Sequence, residues 1–516
     1  MQIQQFVWAL FLASIVLLTA CDFPKTKASA SALEMPEQEL TGLELSKQYC
    51  RGCHQYPAPG LLDKKTWQAY ILPRMGYMLG IYENDTVRAS LFEAGIGGQK
   101  VKNANIFPAK PLIEPGHWQK IVDYYLTNAP YELETPTHEF QNANQFEIVV
   151  PNYRLSPPST TMVHFTDNGE FYIGDANSGS LMHFNASLNL LKAGKVPEGA
   201  VHIHETSQAL WITVMGSFSP TDAPSGMLLQ FPKKKGRPAV IIDSLQRPVH
   251  SSFADLDQDG LQDVVISEFG KWTGGLSWWK QNANGTYTKN RLSIKPGAIR
   301  TQLHDMDQDG LLDIVALFGQ GDEGIFLYRN LGNGQFKAQK VLDFPSSYGS
   351  TYFELFDYNH DEHLDIVYTA GDNGDYPPLM KPYHGIRVFE NKGNEEFNEI
   401  LFLPLNGAYK AIPYDFDGDG DMDIAAISFF PDFQNRPEEG FVFFKNQGNF
   451  DFQPQVYPKI SDLGRWLIMD SADWDQDGDT DLILGALTFE VVPKMNYVNR
   501  WVENGIPFII MKNLDK

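Results

Sequence analysis

The chain changes its hydrophobic period near residue 130. Before that point apolar residues recur at helical spacing; after it they run in short blocks or alternate. Leu40, Leu43 and Leu45, leading to Tyr49, predict a short helix. Thr66 to Leu72 predicts another, ended by Pro73. Ile121, Val122, Tyr125 and Leu126 share one face of a third, which follows Pro115-Gly116. Beyond residue 150, the blocks DVVIS, DIVAL, DIVYT, DIAAI and DLILG read as strands. GIFLYRNLGNGQF, IRVFENKGNEEF and FVFFKNQGNFDF each read as a strand, an Asn-Gly type turn and a Phe.

An acidic segment precedes each of the five strand blocks. They are DLDQDGLQD at Asp255, DMDQDGLLD at Asp305, DYNHDEHLD at Asp357, DFDGDGDMD at Asp415 and DWDQDGDTD at Asp473. Their starts are separated by 50, 52, 58 and 58 residues, a period that points to a repeat array such as a propeller. Carboxylates recur at positions 1, 3, 5 and 9. The first two sets are Asp255, Asp257, Asp259, Asp263 and Asp305, Asp307, Asp309, Asp313. The last two are Asp415, Asp417, Asp419, Asp423 and Asp473, Asp475, Asp477, Asp481. The middle set, Asp357, Asn359, Asp361 and Asp365, substitutes one amide and has Glu362 where the others have the turn glycine. Such side chains can converge on one hard cation, with the position-7 carbonyl adding an oxygen.

The opening of each segment resembles an EF-hand, but no Glu stands at position 12, where the first two have Ile266 and Ala316. Over about residues 240–512 the pattern resembles the FG-GAP or VCBS-type calcium-binding β-propeller repeats, seen also in integrin α-chain heads. That resemblance implies up to five structural Ca2+ ions. Upstream, HFTDNGEFYIGDANSGSLMHF looks like a unit with a decayed loop, and AVHIHETSQALWITVMGSF with SGMLLQF looks like another. Five plus two predicts seven blades over residues 150–512.

Strand alternation predicts an inner face. Counting back five from the first Asp gives His250, Arg300, Tyr352, Lys410 and Ile468; counting back three gives Ser252, Gln302, Glu354, Ile412 and Asp470. The opposite phase, with Phe253, Leu303, Leu355 and Met469, is apolar. The first set is expected to line a central channel, with His250, Arg300, Gln302, Glu354 and Lys410 as candidate ligand residues. Polar loops at 268–275, 320–323, 371–376 and 432–439 are expected on the same rim.

Cys50-Arg51-Gly52-Cys53-His54 has the C-x-x-C-H spacing of covalent haem attachment. Two thiols at that spacing can join the two vinyl groups of one haem, and His54 then lies under the iron. The segment 39–130, with QKIVDYYLTNAP near its end, resembles cytochrome c, whose last helix packs on its first. The resemblance implies one haem c, bound by Cys50, Cys53 and His54. Met75 is the first choice for the sixth ligand, ahead of Met78 and then His117.

The third cysteine, Cys21, closes the apolar run 6–20 in Leu18-Thr19-Ala20-Cys21. That run is short for a membrane span and resembles a bacterial lipoprotein signal, which implies lipidation of Cys21. Residues 21–38 suit a flexible tether, and 131–149 a linker. The 516 residues carry a net charge of -23, which disfavours nucleic-acid binding.

The expected protein is therefore multidomain, an all-α haem domain followed by an all-β propeller. It would be tethered to the cell or outer membrane, facing the periplasm or exterior. Electron transfer to a redox protein partner is the leading expectation. A dehydrogenase oxidising a sugar or alcohol on the propeller is the first alternative, and an adhesion or glycan-binding module the second. No nucleophile or general base is evident, so catalytic residues remain unassigned.

Overall fold

The computed structural model describes residues 39–136, 139–393, 395–489, 491 and 496–514. Cys21 and the apolar run 6–20 lie outside them. Thr41 to Lys516 forms one compact unit, helical at its N-terminal end and β-structured thereafter.

The first helix, Gly42–Cys50, starts at a capping box. Thr41 Oγ1 accepts from the Glu44 N–H, and the Glu44 carboxylate accepts from the Thr41 N–H. It packs on the last helix of the N-terminal helical segment, Pro115–Asn128, through fully buried Leu45, Ile121 and Tyr125. Trp67 packs against Tyr125 with ring centroids 4.5 Å apart and planes tilted by 57°, and donates to the Pro59 carbonyl.

Pro73 does not end its helix. Helical backbone runs from Lys64 to Met78, with a π-turn at Trp67–Ile71. The Leu72 N–H bonds back five residues to the Trp67 carbonyl. This widened turn stands immediately before a residue that has no N–H of its own.

Seven sheets follow, each mainly of four antiparallel strands. Their first strands are Thr160–Phe165, Ala200–Glu205, Pro248–Ala254, Ala298–His304, Ser350–Phe356, Ala408–Tyr414 and Trp466–Ala472, which define blades 1 to 7. Each first strand contacts the first strands of both neighbouring blades, and the seventh contacts the first. These strands therefore form a closed inner ring: the fold is a seven-bladed β-propeller. Second strands such as Asp263–Glu268 and Asp313–Phe318 are buried on both faces, which explains their unbroken apolar runs. Phe253, Leu303, Leu355 and Met469 pack between blades, as the alternation predicts.

The linker expected at 131–149 is partly propeller. Phe146–Val149 pairs with Phe508–Asn513 to complete blade 7, and Gln141–Asn142 adds an edge to blade 6. The buried Phe146 anchors this closure, its ring about perpendicular to those of Phe416 and Phe443.

Two buried acids give the ring a pH dependence. Burial pushes Glu323 up to about 8, against hydrogen bonds from Ser350 that pull it down. Burial likewise pushes Glu439 up to about 7, opposed by Asn406. Between the unfolded carboxylate pKa, about 4.3, and these values, each of the two folded-state groups binds more protons than its unfolded counterpart. Their contribution to stability should therefore fall as pH rises from about 4.5 to about 8, by roughly 1–3 kcal/mol. Buried His202, His250 and His384, with lowered pKa, contribute with the opposite sign at the acidic end. Chemical denaturation across that range would check this, and E323Q with E439Q should flatten the slope.

Candidate functional site

Three places concentrate chemistry: the acidic loops, the channel, and the Cys50–His54 turn.

In every acidic loop the first Asp folds the turn. Asp255 accepts from the Asp259 N–H at 3.1 Å and the Gly260 N–H at 2.8 Å, and Asp305, Asp357, Asp415 and Asp473 repeat this arrangement. The backbone at position 6 is left-handed: φ is 85° at Gly260 and 92° at Gly420. Glu362 holds the same conformation, φ 70°, despite its side chain. Position 9 is a buried hub. Asp423 takes the Phe416 N–H at 3.2 Å and, from the third strand of its blade, the Asn446 N–H at 2.8 Å. Asp263, Asp313, Asp365 and Asp481 do the same.

Four of the five loops bring three carboxylates within 4.8 Å of one another; the Asn359 loop is not among them. Asp257 Oδ1, Asp417 Oδ1 and Asp475 Oδ1 are buried without a hydrogen-bond partner among the described residues. Burial raises the position-9 carboxyls, Asp423 to about 7 and Asp481 to about 6. Unsatisfied, crowded carboxylate oxygens match a hard divalent cation, so these clusters could bind calcium. The third strand also delivers a basic residue to each of the four. Lys280 pairs with Asp257, Arg329 with Asp307, Lys445 with Asp417 and Lys512 with Asp475. Sequence reading missed this device, although Lys or Arg stands just before the last residue of each third strand. The corresponding residue of blade 5 is Glu390.

The channel lies inside the ring of first strands. A register irregularity at the same place in each first strand puts His250 opposite Ser267, Arg300 opposite Leu317, Tyr352 opposite Thr369 and Lys410 opposite Ile427. The same register makes His202 their equivalent in blade 2, and His204 and His164 the equivalents of Ser252. Three of the predicted ligand residues, His250, Arg300 and Lys410, and the channel residue Tyr352 are thus joined by three histidines that sequence reading missed. Blades 1 and 2 lack an acidic loop from which to count.

The rings of His202 and His250 stand 4.1 Å apart. Arg300 lies 4.6 Å from the Tyr352 ring centroid and 3.7 Å from Glu354; Lys410 lies 4.9 Å from the same ring and donates to the Met469 carbonyl. Gln302 accepts from the Leu355 N–H, so it braces a neighbouring blade. Burial first, then the nearby cations, hold His202 and His250 well below the usual imidazole range.

Two of the expected rim loops, 268–275 and 371–376, are contacted by the helical segment, which also meets a loop of blade 2. Glu93 accepts from Thr221 and Asp222, and Phe107 meets Trp272 edge-on. Arg74 donates to the Asp375 carbonyl, and Tyr383 to the Leu61 carbonyl.

Cys50 ends the first helix, buried; Cys53 is exposed, and the two are not bonded. Arg51 to Tyr56 line a cavity of about 710 Å3 whose far wall is blade 4, with Asp322, Lys340, Asp343 and Pro345. His54 Nδ1 lies 2.7 Å from the Gln55 carbonyl, which leaves Nε2 without a hydrogen bond among the described residues. Burial pushes the Cys50 thiol up to about 11, the opposite of what a redox dithiol or thiolate metal ligand needs. Met75 is half-buried in the helical core on Leu72–Met78, while Met78 is 40% exposed. His117, in the first turn of the last helix, has a buried Nδ1 without a partner among the described residues.

Fold and loops together define a propeller with acidic cage loops. The FG-GAP-like repeat family matches residues 255–316 and 305–368, so the chain carries FG-GAP-like repeats. No curated protein matches the chain. Among solved structures, a streptogramin B lyase is 12% identical, covering 71% of this chain and 97% of its own, with a TM-score of 0.45. A catalytically inactive virginiamycin B lyase from Staphylococcus aureus with quinupristin is 11% identical, covering 71% and 99%, with a TM-score of 0.44. Saccharomyces cerevisiae Sqt1 is 9% identical, covering 73% and 100%, with a TM-score of 0.44.

Proposed function

We propose that this chain is a lipid-anchored c-type cytochrome whose calcium-stabilised propeller is the docking platform for a redox partner. The observation that carries this reading is the Cys50–His54 turn facing a cavity walled by both the helical segment and blade 4. Cys50 and Cys53 would hold one haem c by thioether bonds, and His54 would offer Nε2 to its iron. Haem passes one electron at a time, which suits a carrier. Met75 remains the proposed sixth ligand. Lys340, Asp322 and Asp343 would border the haem edge, so a partner on blade 4 would meet both components. Cys21 would carry the lipid that holds the protein at the membrane.

The test is a redox-titrated visible spectrum of protein made with haem-attachment machinery. Sharp reduced bands that cycle without substrate support a carrier. A high-spin, CO-binding haem, or reduction only by a sugar or alcohol, moves the reading to the dehydrogenase, for which the polar channel is the supporting observation.

Calcium would be held by the Asp255, Asp305, Asp415 and Asp473 loops, with the Asp357 loop weakest. Extracellular sites of this type bind at about 10⁻⁴–10⁻³ M. At ten times Kd each stabilises the fold by about 1.4 kcal/mol. EGTA should therefore lower Tm by several degrees and millimolar calcium restore it, as calorimetry would show.

A further inference from the structure

The middle of the channel carries cations and donors in excess of acceptors. Arg300 and Lys410 point to one level, together with His202 and His250. The nearest carboxylates, Glu354 and Asp470, belong to the next level. Glu354 forms an ion pair with Arg300 at 3.7 Å, beyond hydrogen-bonding reach, and accepts its hydrogen bond from Tyr352. Arg300 Nε and His202 Nδ1 are buried without a partner among the described residues. His250 Nδ1 reaches only Ser252 and Thr301, at 3.4–3.5 Å, the weak end of hydrogen bonding.

Unpartnered buried polar nitrogens are costly and are met by water or by a ligand. A metal ion is disfavoured, because two fixed cations face the imidazoles and no group of three metal-ligand side chains is found there among the described residues. A neutral sugar would offer the unmet Arg300 and His202 nitrogens no charge-assisted acceptor. An oxyanion answers the charges and supplies acceptors for guanidinium, ammonium and imidazole N–H together.

We propose that the channel binds one small oxyanion, a carboxylate or a phosphate-type group, held by Arg300, Lys410, His202 and His250. The assignment stands independently of the haem, since none of these residues belongs to the helical segment.

The experiment is calorimetric titration of the full chain at fixed ionic strength with sodium phosphate, sodium sulfate and sodium succinate, with sodium chloride and glucose as controls. One-to-one binding of an oxyanion is expected. Preference for succinate identifies a carboxylate source, and preference for phosphate or sulfate a tetrahedral one. R300Q and K410M should each weaken binding at least tenfold, whereas E354Q, which removes a competing carboxylate, should not weaken it. Should the cation variants fold poorly, an anomalous selenate peak beside Arg300 in crystals of the unaltered chain gives the same answer. Absence of binding at millimolar oxyanion, binding untouched in R300Q and K410M, or a selenate peak only on the outer surface would overturn the proposal.

Discussion

Replacing Cys50 and Cys53 together by alanine is expected to abolish covalent haem, leaving no pigment on the denatured polypeptide. Each thioether is made by one sulfur, so C53A alone should retain a single, weaker link. Haem staining of denaturing gels and the mass of the intact chain measure this directly. Cys50 ends the first helix and Cys53 lies in the turn beyond it, at the cavity wall. Loss of the exposed Cys53 should spare the fold, whereas loss of buried Cys50 should also cost packing against Tyr125. A wild-type chain that leaves attachment machinery without pigment would refute the cytochrome reading and leave the propeller findings intact.

The second large effect is expected at Asp423. Alanine there strands the N–H groups of Phe416 and Asn446 inside the protein, and each unmet buried donor costs about 1–3 kcal/mol. A total loss of about 3–5 kcal/mol should appear in chemical denaturation, with calcium or with EGTA. D415A should behave differently. Asp415 is only partly buried and folds the loop from outside, so its loss should lower the calcium response more than the EGTA baseline. Equal effects of the two substitutions would contradict the difference between a fully buried hub at position 9 and a part-exposed position 1, both of which belong to the carboxylate cluster.

Much of this was legible because one chemical pattern recurs in a fixed place. The acidic loops anchor the register, and counting back from them located His250, Arg300 and Lys410 on the channel. The same anchor is missing in blades 1 and 2, so His164, His202 and His204 carried no positional signal. The helices at 42–50 and 115–128 followed from their apolar spacing. Continuity through Pro73 did not, since a π-turn depends on local backbone accommodation rather than on residue type. Seating of the helices on the blade loops was also hidden. It rests on single contacts, such as Glu93 with Asp222 and Phe107 with Trp272, between segments far apart in sequence.

Blade 7 has one further consequence, for the order of events during synthesis. Its outer strand, Phe146–Val149, precedes the first strands of all seven blades, while its partner, Phe508–Asn513, follows them all. Until that late segment leaves the ribosome, the early strand has no edge to join and blade 7 stays incomplete. An open repeat array can fray from either end, as solenoids do. Once latched, the ring has no free end at which unfolding can start. Degradation of a nascent or C-terminally clipped chain should thus be far quicker than that of the finished one.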